Sequence, residues 1–246
     1  MDRMLYIATS GGTNILRAQT LVTNNLANAN TNGFRADLAR FNDSPIQGPG
    51  YASRVNSISQ GLGFNKSPGA MVSTGRELDV AIRGPGWIAV QAPDGTEAYT
   101  RGGSLFVNSL GLLETRSGLL VQGDNGPVAV PTHVQLMVGS DGVISVIPEG
   151  QGPETLAEVG RVKLVNPDPA TMLKRHDGLV QLVDGATAEP DANVQIVSGF
   201  LESSNVNLAE SMVSLIELAR QFEIQMKMMQ TADDNANRAA QIIRAG

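Results

Sequence analysis

From residue 208 onward, apolar side chains return every seven residues in two sets. One set is Leu208, Leu215, Phe222, Met229, Ala236 and Ile243; the other is Met212, Ala219, Met226, Asp233 and Ala240. Ten of these eleven positions are apolar, and a sustained period of seven predicts a helix that packs along a seam against other helices, a coiled coil. Asn207, with Glu210 three residues on, reads as a helix start of the capping-box kind. Glu223 with Lys227, and Asp234 with Arg238, are i,i+4 pairs that support the outer face. A helix from Asn207 to Arg244 would be roughly 57 Å long at ~1.5 Å per residue. A small globular domain has no use for that length in its own core, so part of the seam must meet something else.

The N-terminal end carries a weaker stripe of Met1, Leu5, Ala8, Ile15, Ala18, Val22 and Leu26. Gly11 and Gly12 interrupt it, each costing ~1 kcal/mol of helix propensity against alanine. A tight helix crossing or a kink would justify them, and such a helix forms only when packed. It runs into NNLANANTNGF (24–34), where five of eleven residues are asparagine. Asn32-Gly33 is a turn signal, and asparagine amides serve loose backbone groups where a helix stops. A helix stop does not account for Asn24, Asn25 and Asn28, which lie in the helical register. Their amides could hydrogen-bond across to a neighbouring helix, which predicts an interface.

Between the ends the rhythm changes. Residues 41–69 are punctuated by Pro45, Gly48, Pro49, Gly50, Gly61, Gly63, Pro68 and Gly69, which predicts an extended connector with little regular structure. From Leu78 to Gly199, short runs such as LDVAI (78–82), WIAVQ (87–91), VISVI (143–147) and VQIV (194–197) alternate with turn signals. Asp94-Gly95, Asp141-Gly142 and Asp184-Gly185 are tight-turn candidates. No helical pattern intervenes, so a parallel βαβ sheet is not expected. The fold class is α+β: helices at the two ends pair into a coiled-coil domain, and an all-β domain is inserted between them. The boundaries fall at 1–35 for the first helix and the asparagine-rich stretch, 36–69 for the connector, 70–200 for the all-β domain and 201–246 for the C-terminal helix.

Chemistry is hard to find. The formal charge is -6 with no basic block, which argues against nucleic acid as a partner. There is no cysteine, which removes disulfides and Cys-based zinc sites. No stretch reaches the ~20 apolar residues of a membrane span, and none has the form of a cleaved signal peptide. His133 and His176 are the only histidines and are far apart in sequence. Gly61-Leu62-Gly63 and Gly84-Pro85-Gly86 complete no phosphate-binding fingerprint. Trp87, the only tryptophan, starts a strand and reads as a core anchor. Met226, Met228 and Met229 are better explained by packing than by a soft metal. An enzyme, a cofactor and a small-molecule substrate are therefore not expected.

NNLANANTNGF resembles the N-terminal signature of the flagellar rod and hook proteins. LESSNVNLAESMVSLIELARQFEIQMKMMQTADD (201–234) is similar to that family's C-terminal signature, and LDVAIRGPGWIAVQAPDGTEAYTRGGSLFVNSLGLLET (78–115) to its shared β segment. The three lie in the family's order and span most of the chain. The resemblance implies a structural subunit of the proximal rod in the bacterial flagellar basal body, the rod crossing the periplasm. Its partners would be copies of itself, other rod proteins, proximal and distal, and the flagellar type III export apparatus, which needs no cleaved signal. The terminal helices would line the rod axis as the inner domain. The subunit interface would include Asn24, Asn25, Asn28, Thr31, Gly33, Phe34, Asn205, Leu208, Leu215, Phe222, Met226 and Met229. Two rivals stay open: a distal-rod member of the same family and, from another class, a secreted β-domain protein that dimerises through one coiled coil.

Overall fold

The computed structural model describes residues 3–45, 55–150 and 155–245. Met1, Gly48, Pro49 and Gly50 lie outside the described residues, as do the side chains of Leu5, Ala236 and Ile243. The architecture is α+β, with one helix at each end and many short strands. The chain divides into two compact units.

The first unit holds α1 (Arg3–Ala27), β1 (Asp37–Pro45), β2 (Val55–Phe64) and α2 (Leu208–Ala245). Asn207 starts α2: its Oδ1 accepts hydrogen bonds from the amides of Ala209 (3.1 Å) and Glu210 (3.4 Å), two donors that a helix start leaves open. Thr9 Oγ1 donates to Met229 Sδ at 3.5 Å. A Cβ added at Gly11 would lie 3.3 Å from the Gln225 side chain, and one at Gly12 would lie 3.9 Å from the Phe222 ring. Partners fall in number along α2 as they rise along α1, so the two helices run antiparallel. The two glycines mark where α2 passes, and α1 continues through them unbroken. Ala8, Ile15 and Ala18 are buried on α1, and Ala232 on α2.

The two heptad sets of α2 have different fates. Leu215, Phe222 and Met229 are half-buried, and Ser211, Ser214, Leu218 and Gln225 are sheltered alongside them. Met212 and Met226 of the other set are 53% and 40% exposed. A helix 38 residues long beside one of 25 covers one side of α2, not two.

The reading of residues 36–69 as a connector with little regular structure is corrected. β1 and β2 pair antiparallel from Asp37↔Phe64 to Pro45↔Val55, with an irregularity between Asp37 and Ala39. Their sequences, DLARFNDSP and VNSISQGLGF, lack the strict apolar–polar alternation of a half-buried strand. Proline and glycine are tolerated there because Pro45 ends its strand and Gly61 and Gly63 lie beside the irregular end of the ladder.

The second unit holds residues 28–36 and 65–205. It starts with β3 (Met71–Ser73), β4 (Val80–Arg83), β5 (Trp87–Gln91), β6 (Glu97–Thr100), β7 (Leu105–Val107) and β8 (Leu113–Thr115). It continues through β9 (Gln122–Gly123), β10 (Gly126–Pro127), β11 (His133–Val138), β12 (Val143–Pro148), β13 (Ala157–Arg161) and β14 (Leu164–Val165). β15 (Met172–Lys174), β16 (Val180–Leu182), β17 (Gln195–Ser198) and β18 (Phe200–Glu202) complete it. The largest sheet has the order β14-β5-β6-β16-β15, and a second has the order β11-β12-β13. The named pairings are antiparallel, including the closing pairs β17 with β4 and β18 with β3. Asp94-Gly95 turns β5 into β6, with Asp94 Oδ1 accepting from the amide and hydroxyl of Thr96. Ile88, Val90, Leu105, Leu113, Val121 and Ile144 are fully buried in one core. Trp87 is 8% exposed. Among the described residues, no helix is long and apolar enough to cross a membrane.

Candidate functional site

Three stretches that are distant in sequence meet inside the second unit: residues 31–36, the loop after β6, and β18 with the residues after it. Their centre is Glu202. Glu202 Oε1 lies 2.6 Å from Arg35 Nη2, and Glu202 Oε2 lies 2.8 Å from Arg101 Nη1. The Gly69 amide donates to Oε1 at 2.8 Å, and the Gly33 amide donates to the Glu202 carbonyl at 2.8 Å. The side chains of Arg35 and Glu202 are each 2% exposed, and that of Arg101 is 5% exposed.

The local fold explains why these groups can be buried. The Thr31 amide donates to Asn28 O, the Phe34 amide donates to Thr31 O, and Thr31 Oγ1 donates to Asn28 Oδ1 at 3.2 Å. This turn brings Gly33 to φ +71°, where an added Cβ would lie 2.2 Å from Arg101 C. Only glycine fits both the conformation and the gap. Phe34 is buried, and the Lys174 ammonium sits 3.8 Å from its ring centroid while donating to Arg35 O at 2.7 Å. Arg35 Nη1 donates to Ser67 O, and Arg101 Nη2 donates to Gly84 O. The Arg101 guanidinium also lies 5.5 Å from the Trp87 ring. Asn205 closes the site: its Oδ1 accepts from the Ala36 amide at 2.8 Å, and its Nδ2 donates to Asn65 O and Ser67 O.

Two guanidiniums share one carboxylate, so the cluster carries a net positive charge away from water. Burial pushes the Arg35 guanidinium below its ordinary value; Glu202 opposes that shift and Arg101 adds to it. The Nε atoms of Arg35 and Arg101 meet no hydrogen-bond acceptor among the described residues. A buried ion pair of this kind is costly to desolvate, and removing one partner is worse, about 3–5 kcal/mol. The arrangement binds chain segments to one another.

The residues expected at an interface are placed as follows. Thr31, Gly33, Phe34 and Asn205 come together at the cluster, with their polar groups engaged inside the chain. Asn28 is half-buried and accepts from Thr31. In the first unit, Asn25 is buried and its amide grips the backbone of Asp37: Nδ2 donates to Asp37 O at 2.9 Å, and Oδ1 accepts from Asp37 N at 2.7 Å. Asn24 is exposed. Leu208 and Met226 are 44% and 40% exposed, and Leu215, Phe222 and Met229 are half-buried. Sequence reasoning missed Arg35, Arg101 and Glu202. Arg101 and Glu202 are lone charges beside an aromatic or apolar run, and Arg35 follows Phe34 with Asp37 two residues on; no local pattern joins the three. Among the described residues, no group of three or more His, Asp or Glu side chains could hold a metal ion. His133 Nδ1 lies 2.9 Å from Pro131 O.

The comparisons with known proteins define the class. Residues 197–242 match the model of the flagellar basal body rod FlgEFG protein C-terminal region, and residues 81–146 match that of the flagellar hook protein FlgE/F/G D1 domain. The first match begins in β17 and takes in Glu202, and the second takes in Arg101. The chain is 39% identical over 99% of both chains to the flagellar basal-body rod protein FlgF of Escherichia coli (strain K12). It is 36% identical, over 93% of both, to FlgF of Caulobacter vibrioides. The flagellar basal-body rod protein FlgG of Bacillus subtilis (strain 168) is 32% identical, over 95% of this chain and 96% of its own. The chain belongs to the FlgF family of flagellar basal-body rod proteins.

Proposed function

We propose that the chain is a structural subunit of the proximal rod of the bacterial flagellar basal body, polymerising through its terminal helices. The carrying observation is the relationship to FlgF rod proteins across 99% of the chain. In this reading the rod transmits torque and encloses the path of exported axial proteins, and the subunit reaches it through the flagellar type III apparatus. Its partners are copies of itself and the proximal and distal rod proteins.

The helical pair supports a mode of assembly. Leu208, Met212, Ile216 and Met226 are 44%, 53%, 56% and 40% exposed along α2, an apolar stripe beside the face turned to α1. We assign that stripe, with Asn24, to contacts between subunits. Leu215, Phe222 and Met229 serve the coiled coil within the chain and reach neighbours with what remains uncovered. Such contacts are heterologous and repeat along a helix rather than closing on themselves. Met212→Asp with Ile216→Asp tests this. The monomer should be made, exported and melt as the wild type does, because both sites are already exposed, while intact basal bodies disappear. Normal basal-body numbers in that strain would refute it.

A distal-rod role has support of its own, since FlgG proteins match at 31–36% identity. Complementation of strains lacking one rod protein or the other separates the two: rescue of only the strain without the distal protein would favour that role.

A further inference from the structure

We propose that Glu202 is a late-closing latch: until β18 arrives with its carboxylate, residues 31–36 and the Arg101 loop cannot be buried in the β unit, and the segment that follows α1 stays open. The latch is a property of the β unit and holds whether or not the chain builds a rod.

Thr31, Asn65, Ser67 and Lys174 each bond to residues 33–36, and the remaining bonds to them come from one short piece of chain, residues 202–205. The Gly33 amide goes to the Glu202 carbonyl, Phe34 O accepts from the Asn205 amide, and the Ala36 amide goes to Asn205 Oδ1. Among the described residues, Arg35 and Arg101 have only Glu202 as a counter-charge. Remove residues 202–205 and two backbone amides, one carbonyl and two guanidiniums lose these partners together. Those are the groups that cannot stay buried unpaired. The partners are far apart along the chain, with Arg101 and Glu202 separated by 101 residues and Ala36 and Asn205 by 169. During synthesis the N-terminal side waits for the C-terminal side. The core cluster of the unit does not share this dependence. Leu113 and Val121 bond to Val128 and to each other through their backbones, are fully buried, and lie among apolar side chains.

The latch also closes imperfectly. Both Nε atoms remain buried without an acceptor among the described residues, and the shared carboxylate leaves one positive charge unbalanced. A cluster optimised only for stability would have paired or replaced those groups. This one depends on a single carboxylate, so segment 31–36 opens as a unit while the core stays shut.

Native-state hydrogen exchange on the full-length chain tests this. In the wild type, the amides of Gly33 and Ala36 should exchange through an opening shared by both, faster than Leu113 and Val121. In Glu202→Gln, Gly33 and Ala36 should exchange ~100-fold faster or more, with Leu113 and Val121 unchanged. In the triple variant R35M/R101M/E202M, which removes the charges but keeps the backbone bond to residue 202, their protection should return towards the wild-type level. Three results overturn the latch: unchanged protection in E202Q, equal loss at all four amides, or a triple variant as open as E202Q. The wild-type comparison alone also decides if E202Q does not fold, because Gly33 exchanging as slowly as Leu113 would mean that the segment never opens by itself.

Discussion

At Gly33 one methyl group is enough to break the site. The backbone there is left-handed, and an added Cβ would overlap Arg101 C at 2.2 Å and its carbonyl oxygen at 2.4 Å. Gly33→Ala should cost about 1–3 kcal/mol from conformation alone, with the overlap adding to it. The expected outcome is a lowered melting temperature of the β unit followed by Trp87 fluorescence; an unchanged melt would show that the loop can move aside. Asn32-Gly33 made this turn legible in advance, because the dipeptide states its own conformation. The ion cluster was not legible. Nothing local marks Arg35, Arg101 or Glu202 for burial, and their partners are too distant in sequence for any local pattern to join them. Asn25 shows the same limit. Its place in the helical register suggested a bond to a neighbouring helix, yet its amide closes on Asp37, twelve residues ahead.

At the scale of elements, the glycines of α1 behave differently from Gly33. A Cβ at Gly12 would make ordinary contact with Phe222 at 3.9 Å, and one at Gly11 would meet only the flexible end of Gln225, at 3.3 Å. Both positions have helical backbone. Gly11→Ala and Gly12→Ala should therefore each stabilise the helical pair by about 1 kcal/mol, read as a higher melting temperature by far-ultraviolet circular dichroism. A drop would mean that the approach of α2 tolerates no added methyl. The long C-terminal helix was plain in the sequence because both heptad sets are apolar, and for the same reason its inward face was not. Leu215, Phe222 and Met229 shelter beside α1, while Met212 and Met226 face outward with equal apolarity. Periodicity reports that a stripe exists, and only packing decides which stripe is used first. The β1–β2 hairpin escaped because its ladder is made of backbone, and its side chains announce neither strand nor core.

At the scale of the whole molecule, the two units report through separate signals, and a single titration can follow both. Trp87 is the only tryptophan in the chain and lies in the β unit, while α1 and α2 belong to the other unit. Tyr99 is buried in the β unit. Its hydroxyl accepts from the Ala188 amide at 2.6 Å and donates to Glu97 Oε1 at 2.9 Å. Burial first, then Glu97, pushes the phenol up to about 12, against the pull of the Ala188 amide. Unfolded, the same phenol loses its proton near pH ~10. The folded state therefore holds the proton more tightly. Its contribution to stability is complete below pH ~10 and is lost as pH rises through about 12. Between those limits the Trp87 signal should show the β unit weakening. Tyr99→Phe tests whether the phenol is the cause. It should lower the melt at neutral pH by about 1–3 kcal/mol, because the Ala188 amide loses its acceptor, and flatten the alkaline decline. If Tyr99→Phe instead declines as steeply as the wild type, the buried phenol is not the group that limits stability. If the helical signal falls with Trp87 in the wild type and recovers with it in the variant, the two units unfold as one.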